Sequence, residues 1–355
     1  YASATIFSSL LLIWVGKKID DYRLLGYSLF VVLLLSFSSL FFSFITNIYL
    51  LTIGIFLMRF SGQGLMSHTS TTAISRFFDK SRGKALSTIW FGLSFAEFIL
   101  PVLLTYMLVI YSWRSIWQGI AVLIILFLPL VVLNTIKKIK LDSREKDQNS
   151  SKKIRIKSWR RSEVIKDYRF YIVSSNMLAM PWIATGVFVY QSFISNSKSW
   201  GVYTIPKSFM IYSVASILTL ILSGFLVDRF SSRKLIFIIN IPLLIALGIL
   251  YFFNQTSVAY VFFGLIGVSN GLANVLGSST WAEIYGVKYI GSIKALTTAF
   301  MVFSTAFGTA IFGYLIDVGL SIETISLISG VYIVFVFLIM LIIKDKINPV
   351  MLKKA

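Results

Sequence analysis

The sequence predicts an all-α integral membrane protein of about eleven spans, arranged as two homologous halves. Three observations predict it: apolar residues gathered into long runs, basic residues confined to alternate loops, and short motifs repeated at one spacing.

The first is compositional. Of 355 residues, 57% are hydrophobic and 13% charged, and the mean hydropathy is +0.83. A soluble domain carries about a quarter charged residues, so roughly half the usual charge is missing. Apolar runs near 20 residues are long enough to cross a bilayer. They fall at roughly 1–15, 25–45, 49–75, 85–110, 114–136, 170–194, 208–227, 235–253, 257–279, 295–316 and 325–343. The chain has no cysteine and one histidine. That excludes disulfides, thiol chemistry and cysteine-ligated metals, and it argues against a histidine metal site. No cofactor is expected.

The second concerns charge. The formal net charge of +19 raises the question of nucleic acid, but the placement of the charges answers it. Loops on one side of the eleven runs carry 29 Lys and Arg; those on the other carry Arg114, Lys198 and Lys207, with Arg59 inside a run. This is the positive-inside pattern, and it assigns the basic side to the cytoplasm. Membrane lipid is therefore an expected partner and nucleic acid is not.

The third is internal repetition. Gly16-x-x-x-Asp20 recurs as Gly224-x-x-x-Asp228, and Ser70-Thr-Thr as Ser278-Ser-Thr280, both at an offset of 208. Gln63-Gly64-Leu65 pairs with Asn270-Gly271-Leu272 at 207, and Lys84-Ala85-Leu86 with Lys294-Ala295-Leu296 at 210. Ordered matches at nearly one spacing describe a duplicated unit. The expected domains are a bundle over 1–136, a cytoplasmic linker over 137–167 and a second bundle over 168–355. Five runs precede the linker and six follow it, which leads us to expect that a first helix is missing from this sequence. The linker is too charged to bury, and Ile154 to Lys166 reads either as an interfacial helix with Trp159 and Ile165 toward lipid headgroups or as a disordered stretch.

Several motifs carry a family resemblance. The loop Gly224-Phe-Leu-Val-Asp228-Arg229-Phe-Ser-Ser-Arg233-Lys234 resembles the major facilitator signature Gly-x-x-x-Asp-Arg-x-Gly-Arg-Arg. Its first copy, Gly16-Lys-Lys-Ile-Asp20-Asp21-Tyr-Arg23, has Asp21 where Arg is usual. Arg59-Phe-Ser-Gly62-Gln63-Gly64 is similar to the fourth-span Arg-x-x-x-Gln-Gly pattern. Arg76-Phe-Phe-Asp79-Lys-Ser-Arg82-Gly83-Lys84-Ala85 resembles the basic loop that follows it, and Gly92 to Pro101 the fifth span, with Ala96 in place of a glycine. Within the superfamily, the Arg82-Gly-Lys-Ala loop and Trp281-Ala-Glu-Ile-Tyr-Gly look most similar to bacterial monocarboxylate or oxalate–formate branches.

The resemblance implies a major facilitator fold of two six-helix bundles related by a parallel repeat. It implies a monomeric secondary transporter in a bacterial inner membrane, working by alternating access on a small solute, with proton coupling or exchange. A small organic anion is the first substrate class. Efflux of amphipathic drugs or metabolites, and a non-transporting sensor or scaffold of the same fold, are the alternatives. The signature loops imply a cytoplasmic latch of Gly16, Asp20, Arg23, Arg82, Gly224, Asp228, Arg229 and Arg233. No P-loop and no cluster of acid, base and nucleophile appears, so an enzyme is not expected.

The site candidates follow from the cost of polar groups in a bilayer. Arg59 stands mid-span, where a cation costs about 2.5–3.5 kcal/mol on insertion scales. It shares a helical face with Gln63 and Ser67. Its partner is either a substrate carboxylate or Glu97 in the next span. Glu97 and His68 are the candidates for proton coupling. Asn270 and Asn274, at i and i+4, are candidates for substrate contact or for interhelical hydrogen bonding. Trp182, Tyr190 and Gln191 complete the expected cavity lining.

Overall fold

The computed structural model describes residues 1–78, 81–147, 157–201 and 203–349. Asp79 and Lys80 of the basic loop, Ile154 to Ile156 of the expected interfacial helix, and the basic tail from residue 350 lie outside these.

All eleven apolar runs are helical: α1 (Ala2–Val15), α2 (Leu24–Phe42), α3 (Ile48–Phe77), α4 (Arg82–Ile110), α5 (Trp113–Asp147), α6 (Tyr168–Val189), α7 (Thr204–Phe230), α8 (Ser232–Phe252), α9 (Thr256–Tyr285), α10 (Ile290–Asp317) and α11 (Ile322–Ile342). No strand occurs among the described residues. Among the described residues, nine of these helices are long and apolar enough to cross a membrane. The chain is an integral membrane protein. Helices dominate because a bilayer offers backbone N–H and C=O groups no other partner.

Two boundaries differ from expectation. α5 continues to Asp147, because the Lys-rich segment after residue 136 holds good helix formers and no Gly or Pro. The expected interfacial helix shrinks, within the described residues, to one turn at Arg161–Val164. Trp159, half-buried, packs against the end of α9. Its ring meets Tyr285 edge-on at 5.5 Å, and its backbone N–H donates to the Tyr285 carbonyl at 2.9 Å. Arg161 Nη1 donates to the Ile13 carbonyl at 2.9 Å. This segment is therefore held by protein on both sides, which outcompetes insertion of a single Trp into lipid.

Association of helices in lipid relies on close packing and polar contacts more than on the hydrophobic effect. Ser36 Oγ donates to Ala121 O (2.9 Å), joining α2 to α5. Asn240 Nδ2 donates to Asn176 O (2.6 Å), and Ser269 Oγ to Ile239 O (2.8 Å). Such bonds contribute on average about 0.6 kcal/mol each. The largest buried cluster joins α6 through α11 and includes Trp182, Leu247, Phe262, Phe263 and Phe312. A smaller cluster ties α1, α2 and α3 together through Leu12, Val31, Phe60 and Leu65.

Across the midline, α1 and α3 pack on α10, and α4 packs on α7 and α9. The pairs α1–α10 and α7–α4 exchange under the 208-residue repeat, so the interface has approximate two-fold symmetry.

Candidate functional site

At the basic end of the helices, each half reaches into the other with an aspartate. Asp20, which ends the short 3₁₀ turn Gly16–Asp20 after α1, accepts from the backbone N–H of Gly291 at 3.0 Å and of Ser292 at 2.6 Å. Asp228, near the end of α7, accepts from the N–H of Gly83 at 2.7 Å and of Lys84 at 3.2 Å. The donors lie in the first turns of α10 and α4. There the orphan N–H groups and the helix dipole both favour a carboxylate. Burial raises the Asp20 carboxyl above the ordinary carboxylate range, opposed by the Ser292 N–H and the Arg76 charge.

Glycine is required for this approach. A Cβ on Gly83 would collide with the Gly224 carbonyl and stand 2.9 Å from Asp228 Oδ1. One on Gly224 would lie 2.5 Å from Ser87 Oγ, and one on Gly16 would lie 2.8 Å from Ala295 Cβ. Gly16 and Gly224, Ser87 and Ala295, and Gly83 and Gly291 all correspond at 208. At these junctions the structural register is therefore 208, and it corrects the 210-residue match of Lys84 with Lys294. The true counterpart of Lys294 is Leu86.

The cations of the latch are arranged otherwise than the signature implies. Arg76, from the basic end of α3, pairs with Asp20 at 2.5 Å and supplies the charge that Asp21 does not. Arg23 and Arg229 are exposed, and Arg229 lies over the Phe230 ring at 5.2 Å. Arg82 is buried and donates to the Ser75 carbonyl at 3.3 Å. Arg233 donates to Asn348 Oδ1 at 2.8 Å. The carboxylate of Glu283 caps the turn after α7, accepting from Ser231 Oγ (2.8 Å) and from the N–H of Ser232 (2.9 Å) and Arg233 (3.2 Å).

Beside this junction a cavity of about 650 Å³ lies between the halves, lined by α3, α4, α6, α7, α9 and α10. Gln63, Glu97, Asn270 and Asn274 line it, as the sequence suggests. Asn270 Nδ2 also donates to Ser216 Oγ at 3.1 Å, so it both faces the cavity and joins α9 to α7.

Other candidates lie elsewhere. Arg59 is not in the cavity wall: its guanidinium lies over the Tyr1 ring at 4.7 Å, and Nη1 donates to Gln63 Oε1. It forms no ion pair with Glu97 among the described residues. Arg59–Met66 is a π-helical stretch within α3, a distortion frequent at functional sites and one that helical periodicity cannot reveal. Trp182 is core, ringed by Phe307, Phe312 and Tyr332 at 5.4–6.2 Å. Tyr190 is spent on the Thr309 carbonyl (3.2 Å). Gln191 is also absent from the wall. His68 is fully buried outside the cavity, with Nε2 at 2.9 Å from the Gly16 carbonyl. That oxygen only accepts, so Nε2 carries the proton and Nδ1 is left to accept from the Thr72 hydroxyl at 3.5 Å.

Sequence reading passes over one cavity residue. Lys294 counts there as a basic loop charge, yet it lies in the second turn of α10, 3% exposed, in the cavity wall. Nζ donates to the Thr71 carbonyl at 2.8 Å. The available signal is that Ile290 and Thr298, at i−4 and i+4, offer no countercharge.

Compared with known proteins, the chain matches the family model of the Major Facilitator Superfamily over residues 1–206 and again over 173–354. It belongs to that superfamily. No curated protein matches it significantly. Major facilitator proteins are transporters, not enzymes, and this chain is a secondary transporter of some solute. The paired aspartate caps lie at the basic end of the helices, a short way from the cavity residues Thr71 and Lys294.

Proposed function

We propose that the protein carries a small organic anion by alternating access, with the basic end facing the cytoplasm and the aspartate caps sealing that end. The orientation rests on the 29-to-3 distribution of Lys and Arg. The observation that carries the substrate class is Lys294, the one cation among the described residues lining the cavity. A buried cation is costly unless paired, and an anion in the cavity supplies the pair. Gln63, Ser67, Thr71 and Thr298, also in the wall, offer hydrogen bonds around it. Arg59 acts through Gln63, whose side chain it orients.

Efflux of amphipathic molecules is favoured by Trp90, Phe188, Trp281, Phe300 and the methionines of the wall. The same wall carries Lys294 with hydroxyl and amide groups around it, and that charge favours an anion over a cationic amphiphile. The test is counterflow into liposomes preloaded with acetate, lactate or succinate. Labelled acid should accumulate, and Lys294→Met should reduce the rate at least tenfold. Equal rates in Lys294→Met, or counterflow only with cationic amphiphiles, would discard the anion.

A further inference from the structure

Two junctions close the basic end, and the repeat makes them equivalents, yet one side chain sets them apart. At the α4–α7 junction the position is Leu86, fully buried in an apolar cluster with Leu220, Val227 and Leu276. At the α1–α10 junction it is Lys294, whose ammonium both faces the cavity and bonds across the midline to the Thr71 carbonyl of α3. The same end of α10 is held by Asp20 through Gly291 and Ser292, and Asp20 is held in turn by Arg76 of α3. Lys294 is therefore a third tether on one junction, and among these tethers it is the one a solute in the cavity can reach.

We infer that Lys294 is the release of the closed end: an anion in the cavity draws Nζ off the Thr71 carbonyl and frees the first turns of α10 from the other half. This rests on the anion reading above. The thermodynamic requirement is that the anion bind the released state more tightly than the tethered one. A charged hydrogen-bond partner for Nζ, in place of a neutral carbonyl, meets it. The α4–α7 junction carries Leu86 at the equivalent position and offers solute no such charge. The trigger is therefore asymmetric despite the symmetric fold.

These 355 residues contain no cysteine, so a single pair of spin labels reads the gap directly. Tyr22→Cys, before α2, and Lys288→Cys, before α10, are exposed at the closed end in opposite halves. The distance between them is measured in liposomes with and without lactate. We expect lactate to raise the widened population at least fivefold in the labelled parent. Lys294→Gln and Lys294→Met should show that population without lactate and no further response; Lys294→Arg should retain the response. If both neutral variants stay closed without lactate and still widen with it, the release role is overturned, even where Lys294→Met has lost counterflow. If the parent itself does not widen with acetate, lactate or succinate, the release role fails too. Counterflow of those acids then shows separately whether the anion reading stands.

Discussion

Asp20 and Asp228, 208 residues apart, each accept two backbone N–H bonds from the first turn of a helix in the opposite half. A carboxylate at a helix start gains from both hydrogen bonds and dipole, and neither bond survives separation of the halves there. In the alternating access proposed above, the closed end is held by interactions that exist in only one access state.

Removing one carboxylate should shift that equilibrium. A hydrogen bond to a charged group contributes about 1.5–3 kcal/mol, so Asp228→Ala should raise the open fraction tenfold or more. Ser87, buried against Gly224, is a suitable reporter once replaced by cysteine. Ser87→Cys should resist a membrane-impermeant maleimide in the parent and react in the Asp228→Ala background. Equal labelling in both would show that the cap does not hold the closed end.

The glycines at the junction should tolerate nothing larger. Gly83→Ala drives a methyl into the Gly224 carbonyl and the Asp228 carboxylate, and a backbone atom cannot swing aside. Gly92, nine residues further along α4, has open space where its Cβ would stand. Solute counterflow should fall at least tenfold in Gly83→Ala and stay within twofold of the parent in Gly92→Ala.

Of the two proton-coupling candidates, position favours Glu97. It faces the cavity, whereas His68 is enclosed between α3 and the Gly16 carbonyl. Glu97→Gln should flatten the pH dependence of gradient-driven uptake while exchange persists. His68→Gln should leave the shape of that profile unchanged and act through stability, lowering the midpoint of thermal unfolding. A pH profile moved only by the His68 variant would reverse the assignment.

The sequence by itself determined the fold class, the helices and the repeat, because these follow from local rules. A bilayer demands apolar runs of a set length, loop charge records orientation, and duplication leaves motifs at fixed spacing. Gln63, Glu97, Asn270 and Asn274 were legible as cavity residues because a polar group mid-span must face protein or water.

Only the tertiary structure decided which polar groups meet. Arg59 and Glu97 look like partners in sequence, but Arg59 turns to Gln63 and Tyr1. Trp182 looks like a site residue and is core, since three rings from other helices enclose it. Asp21 stands where the signature has Arg, and Arg76 supplies the charge from another helix. Lys294 looked like a loop cation, and a two-residue error in register hid its counterpart, Leu86. Whether that lysine faces water, lipid or a cavity depends on α3 passing within 2.8 Å of its ammonium. Such a contact between residues 223 positions apart has no local signature.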